Sequence, residues 1–186
     1  MTELRLLQID AFADTVFGGN PAAVVPLDRW LPDSVLQAIA GENNLSETAF
    51  LVRSEDPGVD YAIRWMTPRA EVDLCGHATL ASAHALWSHL GFAGDALTLS
   101  SRSGPLRVAR NARGYELDFP ALPLKPIATD GDVESALGVR PVETLAGMDL
   151  VAVLPRESDV RALDPNFNDL ARINGYRAVA VTAPGD

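Results

Sequence analysis

Short hydrophobic runs alternate with a few helical segments along this chain. Helical periodicity is found at residues 33–41, opened by Pro32, at 167–174, and most clearly at 77–90. Together with the strand-like runs, this order predicts an α+β fold. The strands are short and are separated by Gly, Pro and Asp, so we expect a strongly curved antiparallel sheet. The runs that predict strands are residues 6–12, 22–26, 47–52, 61–66, 96–100, 106–110, 115–119, 150–154 and 178–182.

The helix at residues 77–90 has an unusual pattern. Between Leu74 and Gly94 there is no Asp, Glu, Lys or Arg, and apolar residues fall on every side of a helical wheel. A helix that is apolar all round is buried. Gly76 allows a tight entry into the helix, and Gly91 follows it as a C-cap glycine would. Hydroxyl and histidine side chains within the segment argue against a membrane span.

The start of this helix is a candidate site for chemistry. The first turn of a helix presents free N–H groups, so Gly76 and His77 offer an anion site without a basic side chain. His77 lies in the cap, where its imidazole can face a cleft. For His84 and His89 we expect ordinary buried or half-buried histidines with backbone partners. His77 and His84 are two turns apart, roughly 10 Å along the axis, and we find no metal-ligand spacing in the chain.

Glu47, in the run NLSETAFLV, is the second candidate. The strand period of two places Glu47, Ala49 and Leu51 on one face and Thr48 and Phe50 on the other. Both faces soon become apolar, so the carboxylate loses hydration and becomes able to donate or accept a proton near neutrality. From spacing alone, a solvated glutamate at the end of a strand, or one that caps a helix, explains the pattern at least as well.

Composition narrows the class of partner. The chain has 186 residues, of which 47% are hydrophobic, and a formal net charge of −10. No run of Lys and Arg is present, which disfavours nucleic acid and anionic membranes and favours small molecules or further copies of the chain as partners. The N-terminal MTELRLLQID has no apolar segment of signal-peptide length, and a single cysteine forms no disulfide framework. We therefore expect a cytoplasmic protein.

The segment PALPLKPIATDGD, which begins at Pro120, contains three prolines without strong periodicity and is interpreted as a linker. It predicts a domain boundary near Pro120, with one domain at residues 1–119 and a second at 120–186.

Three segments, in order and at their separations, closely resemble the PhzF family of phenazine-biosynthesis-like isomerases. They are DAFADTVFGGNPAAVV, NNLSETAF and MTPRAEVDLCGHATLASAHAL. The resemblance implies the fold of diaminopimelate epimerase: two similar domains, each a curved antiparallel sheet wrapped round a central helix, with an active site in the cleft between them. The helix at 77–90 would be the central helix of the first domain. Homodimerisation is implied by the resemblance alone.

The resemblance also implies roles for individual residues. Glu47 occupies the position of the general acid/base that moves a proton between carbons of a small unsaturated cyclic acid, of the trans-2,3-dihydro-3-hydroxyanthranilate type. His77 matches the neighbouring motif histidine. Gly76 and His77 offer backbone donors to the substrate, and Asn20 of GGNP matches a substrate-binding position. Such chemistry implies neither a metal nor an organic cofactor, and the chain carries no nucleotide-binding glycine motif.

Cys75 invites comparison with the related epimerases, which use two thiols. With one cysteine, a two-thiol racemase is disfavoured. We expect Cys75 to be a small packing residue, although a helix N-terminus is able to lower the pKa of a thiol and make it reactive.

The family's second domain carries an Asp-Pro-x-x-Gly-Ser-x-His segment that opens a second central helix, and no such segment occurs in these 186 residues. The second domain is therefore expected to be incomplete and to lack its central helix. Three alternatives follow: a fragment of a longer isomerase, a protein completed by another chain, or a non-catalytic protein that binds a small acid.

Overall fold

The computed structural model describes residues 3–15 and 17–185. The chain divides into two compact units, residues 1–119 and 120–186. Each unit has a hydrophobic core of its own. Among the described residues, no helix is both long and apolar enough to cross a membrane.

In its described residues, the first unit forms an eight-stranded sheet with two helices. The sheet has the strand order β1-β2-β3-β4-β6-β7-β8, and β5 pairs with β4. Helix α2 contacts β1 and β8, the two ends of this order, as well as β2 and β3. The sheet is therefore curled around α2, as the resemblance implied. The elements are β1 (Leu7–Ala11), β2 (Asn20–Leu27), α1 (Asp33–Asn43), β3 (Glu47–Arg53), β4 (Tyr61–Met66), β5 (Glu71–Val72), α2 (Gly76–His89), β6 (Ala96–Ser101), β7 (Gly104–Asn111) and β8 (Gly114–Asp118).

The central strands bury both faces because a helix covers each one. In β3, Ala49 and Leu51 belong to the core that α2 fills, whereas Phe50 belongs to the core formed with Leu36 and Ala40 of α1. The strand period of two produces this division, since successive side chains point to opposite faces. Glu47 is in step with Ala49 and Leu51, so it starts the face that α2 covers.

Helix α2 is buried on nearly all sides, as its charge-free sequence predicts. It runs from Gly76 to His89, within one residue of the expected bounds at each end. Gly91 adopts φ +76°, and the Phe92 N–H donates to the Leu86 carbonyl at 2.9 Å. The left-handed glycine turns the chain out of the helix and the bond to Leu86 closes that turn, so the helix ends here.

Within the first unit, the expectation of an antiparallel sheet is wrong for two strand pairs. β2 runs parallel to β3, and β4 runs parallel to β6. In both cases a helix stands between the strands in sequence, α1 in the first and α2 in the second. A helical crossover returns the chain to the same end of the sheet, so the strands it joins are parallel. The sheet is consequently mixed.

The second unit is a four-stranded sheet with short helices. Its strand order is β12-β11-β10-β9, and Val133 and Leu137 of α3 pack against Leu150 and Ala152 of β11. The interpretation of the segment from Pro120 as a linker is wrong in part, because this segment contains β9. Helix α5 is also shorter than the helix expected at 167–174. The elements are β9 (Lys125–Ile127), α3 (Gly131–Leu137), β10 (Glu143–Ala146), β11 (Leu150–Val153), α4 (Glu157–Arg161), α5 (Phe167–Leu170) and β12 (Val179–Thr182).

Candidate active site

The start of β3 and the start of α2 meet inside the first unit. Glu47 is the first residue of β3, and its side chain is 19% exposed. His77 is the second residue of α2, and its side chain is 11% exposed. The two side chains approach each other because Glu47 lies on the face of the sheet that α2 covers. The fold thus places a mostly buried carboxylate against a mostly buried imidazole.

The His77 ring lies between two partners. Its Nε2 is 3.3 Å from Oε2 of Glu47, and its Nδ1 is 3.5 Å from Sγ of Cys75. The second distance is a normal hydrogen-bond distance for sulfur. The first is short enough for electrostatic interaction, yet the described residues provide Nε2 with no aligned hydrogen-bond partner. An unpaired buried polar atom of this kind costs about 1–3 kcal/mol, which a bound ligand can recover.

The protonation states follow from burial. Burial lowers the pKa of His77 below 6.5, and the charge of Glu47 opposes this shift in part. The imidazole is therefore neutral at neutral pH. Burial also raises the pKa of the Cys75 thiol to about 12, with a smaller contribution from Glu47. The structure therefore does not support a reactive thiolate at this helix N-terminus, because the effect of burial on the pKa of the thiol is larger than that of the helix dipole.

The first turn of α2 leaves backbone donors available. Cys75 is the N-cap residue with φ −145° and ψ 115°, and its side chain makes no capping bond to the described backbone. The sequence contributes no acidic side chain to this turn. Free N–H groups and the positive end of the helix dipole form an anion site. The backbone at Gly76 lies close to the Phe119 ring, since a Cβ at residue 76 would be 3.3 Å from Cε2 of Phe119.

Asn20 is the first residue of β2, on the strand adjacent to Glu47. Ala22 is the register partner of Glu47 in the parallel β2/β3 pair, so Asn20 precedes that pair on the same face. The turn before Asn20 requires glycine, because a Cβ at Gly19 would clash with the Ala11 carbonyl and lie 2.8 Å from Cβ of Ala13. Glu47 and His77 are thus in direct proximity, and Asn20 belongs to the same end of the sheet.

The donor set raises the question of a metal. Ligand atoms of Glu47, Cys75 and His77 all lie within 4.8 Å of one another, a cluster that spacing along the sequence did not indicate. Oxygen, sulfur and nitrogen ligands are a set that zinc accepts. A cysteine binds zinc as a thiolate, so zinc would have to displace the thiol proton that burial retains. The positive end of the helix dipole also opposes a cation at this place. The arrangement fits proton transfer and anion binding better than cation binding.

The other end of α2 contains a second group of polar residues. His84 Nδ1 lies 3.0 Å from the Tyr115 hydroxyl, and the His84 ring lies 5.7 Å from that of His89. The expectation is therefore wrong in part: His84 is half-buried as expected but contacts a side chain, and His89 is exposed. These residues line a groove of about 710 Å³ between β1 and β8, which does not include Glu47 or His77.

Sequence reasoning missed the contact of Cys75 with the His77 ring and the proximity of Phe119 to Gly76. The signal for the first was present, since residues 75 and 77 flank the start of a helix in the CGH sequence. Phe119 lies 43 residues after Gly76, and no local pattern joins them.

The first unit therefore belongs to a class of proteins in which a mixed sheet curls around one buried helix. A carboxylate and a histidine meet at the N-terminus of that helix. A family model described as phenazine biosynthesis-like protein, PhzC-PhzF, matches residues 9–185. The chain belongs to this family.

Relatives agree with that assignment. The chain is 50% identical over 183 residues to an uncharacterized isomerase of Pseudomonas aeruginosa, a match that covers 97% of the chain and 68% of that relative. It is also 46% identical in sequence to a PhzF-family phenazine biosynthesis protein from Enterococcus faecalis whose crystal structure is known. The two structures superpose with a TM-score of 0.90, and the match covers 98% of the chain and 69% of that protein. The chain thus spans about two thirds of the length of these proteins.

A more distant structure supports the fold alone. It is that of a predicted epimerase from Pseudomonas aeruginosa, 23% identical with a TM-score of 0.68, covering 95% of the chain and 70% of that structure. The isomerase name of the first relative, together with the family, supports an isomerase-type enzyme that acts on small molecules.

Proposed function

We propose that this protein is a PhzF-type isomerase that moves a proton between carbons of a small unsaturated cyclic acid, with Glu47 as general acid/base. The substrate class is that of trans-2,3-dihydro-3-hydroxyanthranilate. The observation that carries the proposal is the 3.3 Å approach of Glu47 Oε2 to His77 Nε2 in a mostly buried setting. Family membership supports the reaction type.

The proposed reaction needs one group that both accepts and donates a proton. The Glu47 carboxylate accepts a proton from one carbon of the substrate, and the electron pair left behind shifts through the adjacent double bond. The resulting carboxylic acid then donates the proton to another carbon. No electron leaves the substrate and no oxygen is added, so Glu47 returns to its starting state, and the step requires neither a metal nor an organic cofactor.

Substrate binding in this proposal uses the start of α2. The first-turn N–H groups at Gly76 and His77 bind the substrate carboxylate, which suits the half-positive helix end. Neutral His77 donates a hydrogen bond beside Glu47, and the Asn20 side chain contributes from β2. A chain with net charge −10 offers an acid little long-range attraction, so these local donors carry the recognition.

The first test replaces the carboxylic acid with its amide. Glu47→Gln keeps the size of the side chain and removes the transferable proton, so we expect turnover of trans-2,3-dihydro-3-hydroxyanthranilate to fall by about 10²–10⁴-fold. Substrate binding should be retained. Proton NMR in D2O follows both product formation and deuterium incorporation at carbon.

Glu55→Gln is the matched control, because Glu55 is an exposed glutamate after the same strand. Turnover that survives Glu47→Gln would remove Glu47 from the catalytic role. Binding of the acid without turnover by the unsubstituted protein would instead support a non-catalytic small-acid-binding protein or one completed by a partner.

We further propose a cytoplasmic homodimer with a biosynthetic role, on the basis of the family resemblance. Light scattering of the purified chain tests the oligomeric part: a mass near twice 19.9 kDa supports it, and a mass near 19.9 kDa contradicts it.

A further inference from the structure

The two ring nitrogens of His77 face different groups. Nδ1 lies 3.5 Å from the Cys75 sulfur, and Nε2 lies 3.3 Å from the Glu47 carboxylate. A neutral imidazole has one N–H donor and one acceptor nitrogen. The group that satisfies Nδ1 therefore decides whether Nε2 presents a proton or a lone pair to the proposed reaction site.

We propose that Cys75 is a positioning residue whose S–H donates to Nδ1 of His77 and so holds the histidine in the tautomer protonated at Nε2. This inference rests on the proposed function, because it concerns how His77 is presented to the substrate. The thiol does not touch the substrate in this scheme. It acts through the ring by fixing which nitrogen carries the proton.

The direction of the bond follows from protonation and burial. Burial keeps the thiol protonated, since its pKa is raised to about 12, and keeps the imidazole neutral, since its pKa is lowered. The protonated thiol is a hydrogen-bond donor, and the ring nitrogen without a proton is its acceptor. The Glu47 carboxylate lies within 4.8 Å of the sulfur and also attracts the thiol proton, which contributes to the raised pKa of the thiol. The closer contact, at 3.5 Å, is the one to Nδ1 of His77.

The opposite tautomer is less favourable in this environment. It would place the Nε2 lone pair 3.3 Å from a carboxylate oxygen, where two electron-rich atoms repel each other. It would also aim the Nδ1 proton at a thiol sulfur, which is a weak acceptor. The tautomer with a proton on Nε2 removes both penalties.

In this tautomer, Nε2 of His77 acts as a hydrogen-bond donor in the proposed reaction. Nε2 is buried, and nothing in the described part of the chain is aligned to bond it. Because it carries a proton, it can donate to a substrate oxygen that gains negative charge while Glu47 holds the substrate proton. A donor placed in advance, in a site with little water, stabilises such charge more effectively than solvent does.

Nitrogen-15 NMR of histidine-labelled protein reads the tautomer directly. Long-range nitrogen-to-proton correlations distinguish the two neutral forms, and the chain has only three histidines, so His77→Gln identifies the signal of His77. We expect the Nε2–H pattern in the unsubstituted chain and in Cys75→Ser, which keeps a donor. Cys75→Ala, which removes the donor, should lose that pattern in favour of a mixture. Ser82→Ala, which removes a buried hydroxyl elsewhere on α2, should leave it unchanged.

An Nδ1–H pattern in the unsubstituted chain would overturn the proposal, and so would an unchanged Nε2–H pattern in Cys75→Ala. The kinetic counterpart is a fall in kcat of about tenfold for Cys75→Ala with KM nearly unchanged, restored in Cys75→Ser. The NMR measurement needs no turnover. An inactive protein with the expected tautomers would therefore refute the proposed function while supporting the role of Cys75.

Discussion

His77 and His84 lie two turns apart on one helix, and their surroundings differ. Burial is the main cause that lowers the pKa of both. At His77 the second cause is the charge of Glu47, which raises the pKa. At His84 it is His89, which lowers the pKa further. His77 lies between a thiol and a carboxylate, whereas His84 contacts the Tyr115 hydroxyl and the His89 ring.

This comparison shows that a perturbed pKa does not by itself identify a catalytic histidine. Both imidazoles are neutral at neutral pH, and both lie on the same buried helix. Among the described residues, His77 alone of the two has a carboxylate oxygen within 4 Å, and it also lies at the N–H groups of a helix N-terminus. The C-terminal end of α2 presents carbonyls and a negative dipole end, which disfavour an acidic substrate.

Paired substitutions of the two histidines should separate their roles most strongly. His77→Gln removes the proposed donor beside Glu47, so we expect kcat/KM to fall by about 10²–10³-fold. His84→Gln should leave kcat/KM near the wild-type value, because His84 lies at the other end of the helix. Steady-state kinetics on the same substrate provide the measurement, and equal losses in the two variants would contradict the comparison.

The thiol at the N-terminal end should be inert in the folded protein. Burial raises the pKa of Cys75 from 9.0 to about 12, which lowers the thiolate fraction by about 10³-fold near pH 8. We expect alkylation by iodoacetamide to be correspondingly slow, with rapid reaction after unfolding in urea. Because the chain has one cysteine, mass spectrometry reads the rate at a single site. Fast alkylation of the folded chain would show that the helix dipole prevails over burial.

The glycines at the two ends of α2 should respond differently to alanine. Gly91 has φ +76°, so Gly91→Ala should lower the free energy of unfolding by about 1 kcal/mol. Gly76→Ala places a methyl group 3.3 Å from Phe119 Cε2, while alanine favours the helix. These effects oppose each other, so we expect the smaller loss at Gly76. Urea unfolding of both variants measures the difference, and a larger loss at Gly76 would show that the Phe119 ring cannot shift.

The smallest expected effects are pKa changes caused by neighbouring charges. Glu47→Gln should lower the pKa of His77 further, since the carboxylate raises it, and should leave His84 unchanged. His89→Gln should raise the pKa of His84, because the charge of His89 lowers it. NMR titration of the histidine ring protons follows each site, and a change of opposite sign would contradict the assigned neighbours.

The same shifts predict a pH dependence of stability. The unfolded chain binds protons at these histidines near pH 6.5, whereas the folded chain binds them only at lower pH. Their contribution to the free energy of unfolding is therefore fully present above pH 6.5 and is lost as the pH falls below it. His84→Gln should reduce this loss in urea unfolding measured across that range, and an unchanged profile would argue against a buried neutral His84.

Local patterns were sufficient for the long elements of the first unit. Residues 61–66 were predicted as a strand and form β4 with those bounds, and α2 was placed within one residue. These segments have strong periodicity or a charge-free run, and burial on both sides reinforces them. Elements of the second unit were harder. Helix α3 was missed because its seven residues, Gly131–Leu137, follow a proline-rich segment, although Asp130 caps it and Gly138 ends it with φ +69°.

Strand direction was not available from local patterns. The short, turn-separated strands indicated an antiparallel sheet, yet β2/β3, β4/β6 and β11/β12 are parallel. Which strands become neighbours depends on where α1 and α2 pack, one on each face of the sheet. That choice is made by burial of whole faces and leaves no signal in any single strand.

The sequence by itself determined the family, the buried helix with its glycine ends, and the candidates Glu47 and His77. Motif order, the absence of charge between Leu74 and Gly94, and the strand period are all local properties of the chain. Only the tertiary structure decided that Glu47 and His77, 30 residues apart, lie 3.3 Å from each other, and that burial keeps the Cys75 thiol protonated. Distances and solvation depend on which surfaces pack together, and packing is a property of the folded chain as a whole.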